Sequence, residues 1–337
     1  MSAFRSSLSE EVRSILTKKP LLPRKSRPGT TRCALWGRSA GILPHVCRLV
    51  FYRRCSLAAA LLLAGLSGCA RNRPATGITD LLAPGDFAKM VAPSNHRQWV
   101  PSLAVLPHAE FHGNHVTIRN IRHCEYLSEQ DYIVRHYDKT FDLDRVQSVD
   151  FWVVPFQAVP SLAHTMLSFG FGDQGYLAVS VEARLEEGES YSPIRGAMRQ
   201  YELMYVLADE RDVIPLRTNH RESDVYLYRT RATPAQARVL LLDVLARVNK
   251  LAVEPEFYDT FTNNCTTNIV QHINRVYPSR IPMRIGVLLP GYADRLAYDL
   301  GLLDSEEPFE RVRQRALVNV AANRYANSPE FSRKIRR

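Results

Sequence analysis

The chain has 337 residues, 45% of them hydrophobic, which is enough for one large or two small globular domains. Its formal net charge is +10, but residues 1–68 carry 12 basic and 2 acidic side chains and account for the whole excess. The other residues carry 32 of each sign. Composition therefore argues against a nucleic-acid-binding protein, and we expect no nucleic acid partner.

A leader is predicted over residues 1–68. A basic segment precedes the apolar run 57–66, which is shorter than the roughly 20 residues that span a bilayer, and small residues lead to Cys69. This arrangement resembles a bacterial lipobox, so Cys69 is predicted to be lipidated and to anchor the protein in a membrane. An ordinary secretory signal or a buried helix is the alternative. Residues 1–47 are basic and rich in Pro and Ser, and we expect translation to start later than Met1.

Three segments are predicted after the leader. Residues 69–95 form a tether rich in small residues and Pro, 96–303 form the folded domain, and 304–337 form a basic tail. The end of this tail, 333–337, is predicted to be solvated and could meet anionic lipid headgroups. No further apolar run of spanning length follows Cys69. Of the three cysteines that follow the leader, Cys69 is expected to be lipidated, which leaves Cys124 and Cys265 as free thiols. A structural disulfide between these two is one possibility.

The pattern of apolar residues predicts an α+β fold, with an antiparallel sheet followed by helices grouped towards the C-terminus. Alternating or β-branched runs predict strands, two of which form a hairpin around the turn 172–175. A capping box at Thr233 predicts one helix, and apolar spacing after Cys265 predicts a second. The predicted strands cover 116–121, 132–137, 149–154, 164–171, 176–182, 201–207 and 224–228.

Cys265 is the candidate nucleophile. Two Asn residues in a polar turn precede it, and an amphipathic helix follows, so its thiol lies at a helix N-terminus. Free backbone N–H groups and the helix dipole stabilise a thiolate there. The alternative is a buried, inert cysteine.

His164 and Glu182 are the predicted partners of this thiol. They stand at similar distances from the tip of the predicted hairpin, which makes them near neighbours across two strands. Together with Cys265 they form a plausible nucleophile, base and orienting carboxylate. His272 is excluded as the base because seven residues of helix separate it from Cys265 by about 10 Å. We expect it to be solvated or to cap a backbone group.

Two other clusters carry weaker signals. His108, His112 and His115, with Glu110, lie in a stretch that is predicted to be a loop, and their spacing matches no metal-site pattern, so no metal is expected. The charged run 209–212 with Arg217 is predicted to be a structural ion network.

Four segments resemble the N-terminal periplasmic domain of Lnb proteins: 164–171 (HTMLSFGF), 180–184 (SVEAR), 209–212 (DERD) and 258–267 (YDTFTNNCTT). The resemblance implies a permuted papain-like, NlpC-like thiol fold in which the histidine precedes the cysteine. It also implies N-acylation of lipoproteins, with Cys265 carrying an acyl chain from a phospholipid to a lipoprotein N-terminus. The backbone N–H groups of Cys265 and Thr266 are predicted to form the oxyanion hole. Asn264, Thr266, Ser168 and Arg184 are predicted to support the site.

The predicted function is therefore a membrane-tethered periplasmic acyltransferase without a cofactor. We expect its lipid anchor to hold it at the periplasmic face of the outer membrane, with phospholipid and the lipoprotein N-terminus as its partners. Two alternatives stay open. One is a cell-wall amidase or peptidase that uses the same Cys–His pair with water as the acceptor. The other is a non-catalytic envelope lipoprotein in which Cys265 is structural and paired with Cys124.

Overall fold

The computed structural model describes residues 92–277 and 280–336. The leader, Cys69 and most of the predicted tether lie outside this range. Eight strands form one sheet: β1 (His108–His112), β2 (His115–Tyr126), β3 (Tyr132–Asp142), β4 (Ser148–Phe156), β5 (Val159–Gly170), β6 (Tyr176–Arg184), β7 (Glu202–Ala208) and β8 (Tyr226–Arg229). Seven strands lie in the order β1-β2-β7-β6-β5-β4-β8, and β3 pairs with β2.

The sheet is mixed but mostly antiparallel. Strand β3 follows one edge of β2, while the other edge is shared by β1 and, at Arg122, by the parallel strand β7. The register of β2 shifts around Asn120, which has a positive φ of 61°. The predicted hairpin is confirmed as β5–β6, with Gly170 paired to Tyr176 next to the turn.

Nine helices are found in the described residues: α1 (Pro193–Ala197), α2 (Glu210–Pro215), α3 (Pro234–Val253), α4 (Cys265–Val276), α5 (Ile285–Leu288), α6 (Ala293–Asp299), α7 (Phe309–Ala316), α8 (Asn319–Arg324) and α9 (Phe331–Lys334). Those of eight or more residues all follow Thr233, so the α+β class and the C-terminal grouping are confirmed. Within 92–277 and 280–336, no helix combines the length and apolar character needed to cross a membrane.

The two faces of the sheet are covered differently. Trp152, Met166 and Val206 face a core closed by α2, α8 and α9. Neighbouring residues of a strand point to opposite faces. Tyr205 accordingly points to the other face, where it meets α4. Because both faces are covered, strand β4 is buried along most of its length.

The C-terminal segment corrects the prediction of a solvated basic tail. Phe331 and Ile335 are buried in the core, and the guanidinium of Arg336 bonds to the buried carboxylates Asp150 and Glu210. The two apolar residues, four apart, share one helix face. The basic residues around them concealed this short pattern in the sequence.

The N-terminal side requires two smaller corrections. The end of the predicted tether is bound to the domain, since the Asn95 side chain donates to the carbonyl groups of Leu251 and Ala252. Residues 108–112 form strand β1 rather than a loop.

Candidate active site

Cys265 is the first residue of α4. Asn264 caps this helix: its side chain accepts a hydrogen bond from the Thr267 N–H at 2.9 Å, and its own N–H donates to the Thr267 hydroxyl at 2.8 Å. The thiol is buried, with 6% of the residue exposed. Among the described residues, the N–H groups of Cys265 and Thr266 have no hydrogen-bond partner. The first turn of the helix therefore has two free donors beside the sulfur.

The hairpin supplies the partners of this thiol. On β5, His164 Nε2 lies 2.7 Å from the Ser180 hydroxyl and 3.3 Å from Glu182 Oε1. Ser180 in turn donates to Glu182 Oε1 at 2.6 Å. The Ser180 proton is used in this bond, so the hydroxyl accepts from His164 Nε2–H. Nδ1 is then the ring nitrogen that is left for Cys265.

The electrostatics of the pair favour a thiolate beside an imidazolium. Burial acts to raise the pKa of Cys265, but the hydrogen bond and positive charge of His164, with the Thr165 N–H, lower it to about 7. Burial also acts to lower the pKa of His164, but the Glu182 charge and a hydrogen bond with Cys265 raise it to about 9. Because the thiol loses its proton before the imidazole does, both groups are charged between these values.

Glu182 is kept ionised by its surroundings. Burial acts to raise its pKa, yet His164 and then Arg217 lower the pKa well below its usual value. Arg217 Nη2 lies 3.3 Å from Glu182 Oε1, and its side chain is only 5% exposed. Arg217 was expected in a structural ion network, and the structure instead places it behind the carboxylate that orients His164.

Polar and aromatic side chains complete the walls of the site. The hydroxyls of Thr165 and Thr266 lie 3.0 Å apart and join β5 to the start of α4. The hydroxyls of Tyr191 and Tyr258 lie 3.3 Å apart. Burial and the nearby Cys265 raise the pKa of Tyr258 well above its usual value, so this phenol stays neutral.

Two predicted support residues lie elsewhere. Ser168 lies near the turn of the hairpin and hydrogen-bonds to Glu210, which also pairs with Arg336. Arg184 bonds to the carbonyl groups of Leu103 and Ala104 and lies 4.1 Å over the Trp99 ring, so it fastens the N-terminal segment. The support roles predicted for Ser168 and Arg184 are therefore corrected. Asn264 and Thr266 are next to the thiol, as expected from their positions in the chain.

One further prediction is wrong, and one open possibility is excluded. His272 is not solvated: it is 1% exposed and lies within hydrogen-bonding distance of Tyr205 and Asp243. No Cys124–Cys265 disulfide is present, since both thiols are free and buried. Burial raises the pKa of Cys124 to about 12, so its thiol is unreactive near neutral pH.

The histidine cluster near the N-terminus lies on the β1–β2 hairpin. His108, His112 and His115 are exposed there, and Glu110 pairs with Arg119. In the part of the chain that the structure describes, no group of three or more His, Cys, Asp or Glu side chains is arranged to hold a metal ion.

Sequence reasoning missed Ser180, Arg217 and Thr165 as members of the site. Ser180 stands two residues before Glu182 on β6, so a strand places both side chains on one face. That spacing is the signal that could have identified it. Arg217 follows α2 in a π-helical turn, and its approach to Glu182 depends on the fold of distant segments.

The fold and the site define an α+β protein with a buried thiol, imidazole and carboxylate in hydrogen-bonding order. Residues 134–291 match the family model of the Lnb N-terminal periplasmic domain, the family that the four sequence segments resemble. The match includes Cys265, His164 and Glu182. It indicates a protein of the cell envelope. No match to the chain was found among curated proteins or among solved structures.

Proposed function

We propose that this protein is a lipid-anchored periplasmic acyltransferase that moves an acyl chain from a phospholipid to a lipoprotein N-terminus through a thioester on Cys265. The single observation that carries the proposal is the Cys265–His164–Ser180–Glu182 chain at the start of α4, with a lowered thiol pKa. The family match supports an envelope location. We further propose that the order of His164 before Cys265 reflects a permuted papain-like core and that Cys69 carries the anchor in the outer membrane.

The thiolate of Cys265 attacks the carbonyl carbon of the phospholipid ester. The developing oxyanion accepts hydrogen bonds from the free N–H groups of Cys265 and Thr266. The ester C–O bond breaks, and His164 gives its Nδ1 proton to the departing lysophospholipid alkoxide. This first half-reaction leaves a thioester and a neutral imidazole held by Ser180 and Glu182.

The second half-reaction returns the enzyme to its starting state. The α-amine of a lipoprotein N-terminal cysteine attacks the thioester carbonyl, and an amide bond replaces the carbon–sulfur bond. His164 takes the proton that the amine releases, and the thiolate of Cys265 leaves. A hydrolase would use the same steps with water in place of the amine.

The test is incubation with phospholipid labelled in its acyl chain, followed by mass mapping. We expect an acyl adduct on the Cys265 peptide that is released by hydroxylamine, and its loss in Cys265→Ser. Cys124→Ser is the matched control and should keep the adduct. Peptide release from peptidoglycan without any acyl adduct would instead support an amidase. The absence of both activities would refute the proposal that Cys265 is a catalytic nucleophile.

A further inference from the structure

A chain of buried polar side chains lies behind α4. His272 Nε2 is 2.6 Å from the Tyr205 hydroxyl, and that hydroxyl is 3.0 Å from Asn268 Oδ1. Asn268 Nδ2 then donates to the backbone carbonyl of Asn264 at 2.9 Å. At its outer end, Asp243 Oδ2 lies 2.6 Å from His272 Nδ1. The chain thus runs from a partly exposed carboxylate to the peptide group that precedes the thiol.

The direction of these hydrogen bonds is determined at the Asn264 end. A backbone carbonyl only accepts, so the Asn268 amide group must point its nitrogen towards Asn264 and its oxygen towards Tyr205. Tyr205 therefore donates its only proton to Asn268. His272 Nε2 must then carry the proton that it shares with the Tyr205 oxygen, and Nδ1 of the neutral ring accepts from Arg275 Nη2 at 2.9 Å. The second N–H of Asn268 bonds to the Asn263 side chain at 2.9 Å, which leaves no other orientation for the amide.

Charged groups surround the outer part of the chain, from Asp243 to Tyr205. His272 Nδ1 faces Asp243 and, at 2.9 Å, Arg275 Nη2, while Arg247 lies near Tyr205. Burial lowers the pKa of His272, against the effect of Asp243. His272 is 1% exposed and seven residues along the helix from Cys265, so it touches no reacting atom.

The inner end of the chain meets a peptide group that matters for the proposed chemistry. The Asn264 carbonyl and the Cys265 N–H belong to the same peptide unit, which is planar and rigid. Hydrogen bonds that fix the carbonyl therefore also fix the direction of this N–H. They polarise the amide as well, which makes its N–H a better donor.

We propose that His272 is a positioning residue that acts through Tyr205 and Asn268 to aim the Cys265 N–H at the oxyanion. The role rests on the proposed function, because it requires Cys265 to attack a carbonyl group. It differs from activation of the thiol, since His164 and Thr165 act on the sulfur itself. Breaking the chain should weaken stabilisation of the oxyanion and leave the thiolate unchanged.

Two reactions of the Cys265 sulfur distinguish a loss of oxyanion stabilisation from a loss of the thiolate. Alkylation by iodoacetamide needs only the thiolate, whereas acylation by p-nitrophenyl butyrate also forms an oxyanion. Both would be measured on the full chain, with mass mapping to Cys265. In Tyr205→Phe and His272→Leu we expect acylation to slow by about tenfold or more, and alkylation to stay within about twofold of wild type. His272→Gln keeps an N–H donor and should acylate faster than His272→Leu.

Tyr228→Phe is the matched control, because Tyr228 lies on strand β8, is about as buried as Tyr205, and bonds through its hydroxyl to Asp294 in α6. It should change neither rate. Equal loss of both reactions in folded Tyr205→Phe, or no loss of acylation, would overturn the proposal, as would a wild-type protein that takes no butyryl group. A wild type that reacts with the ester but never with phospholipid would refute only the proposed acyl donor.

Discussion

At the scale of single residues, the reactivity of Cys265 is set by its neighbours on the sheet. The pKa of the thiol is lowered by His164 and by the Thr165 N–H, against the effect of burial. A helix N-terminus alone predicted a lowered pKa in the sequence. The structure adds a charged imidazole, which is a counter-ion for the thiolate and, in the proposed mechanism, the proton donor for the leaving group.

The pH dependence of the ester reaction follows from the order of the two pKa values. Acylation should rise as pH passes about 7, where Cys265 loses its proton, and fall as pH passes about 9, where His164 loses its own. The profile is measured between pH 5 and 10 as acylation of Cys265 by ethyl butyrate, whose alkoxide leaving group needs a proton, with mass mapping as the readout. A rate that keeps rising beyond pH 9 would contradict the role of His164 as the acid.

Replacing Glu182 by Gln should shift this profile. The carboxylate raises the pKa of His164, so its removal lowers that pKa and moves the descending limb to lower pH. We expect the maximum rate to fall about tenfold, a part of the roughly 10²–10⁴-fold that a positioned general acid or base contributes. Glu125→Gln, which breaks an exposed ion pair with Arg135, is the control and should leave the profile unchanged.

The sequence identified Cys265, His164 and Glu182 because their positions depend on local features, namely one helix start and one hairpin register. Arg217 could not be found in this way, since its approach to Glu182 depends on how the turn after α2 packs. Ser168 shares a face of β5 with His164, but it lies near the hairpin tip beside Glu210. Distance along the strand, rather than side-chain direction, makes the predicted role of Ser168 wrong.

At the scale of elements, α3 and α4 begin with the same device. Thr233 with Gln236, and Asn264 with Thr267, form reciprocal capping boxes. The sequence predicted the first because its residues follow the usual pattern. In the second, Thr occupies the place of Glu or Gln, so only the start of the helix was predicted.

This pair of caps gives a controlled experiment. Asn264→Ala and Thr233→Ala should each lower the free energy of unfolding by about 1 kcal/mol, as N-cap removal usually does. Urea denaturation measures that loss. Only Asn264→Ala should also slow acylation of Cys265, because its cap holds the turn that carries the thiol. Equal acylation rates in the two variants would show that the cap of α4 has no part in the site.

At the scale of the whole molecule, the C-terminal helices complete the core. The family match ends at residue 291, yet Val318, Ala322 and Phe331 pack against the sheet. Arg336 links this segment to Asp150 on β4 and Glu210 on α2. Composition suggested a tail there because charge dominates the segment, whereas the few apolar residues decide where it lies.

Arg336→Met should destabilise the fold. It leaves Asp150 and Glu210 buried without their cation, and breaking a buried pair in this way costs about 3–5 kcal/mol. Unpaired buried carboxylates have raised pKa values, so the deficit is present above the unfolded value of about 4 and shrinks as pH falls towards it. Urea denaturation at pH 7 and pH 5 measures both effects.

Arg333→Met is the control for that substitution. The Arg333 side chain is 64% exposed and pairs with Glu330 on the surface, so its loss should cost less than about 1 kcal/mol. A similar cost for both variants would show that the buried carboxylates do not depend on Arg336.

The separation of His164 and Cys265 along the chain has a consequence for handling the protein. The two residues are 101 positions apart, and only the completed sheet and α4 bring them together. An unfolded chain therefore carries an ordinary, mostly protonated thiol at neutral pH. Fast alkylation of Cys265 at that pH is a reporter of native structure, and one reagent can count the correctly folded molecules in a preparation.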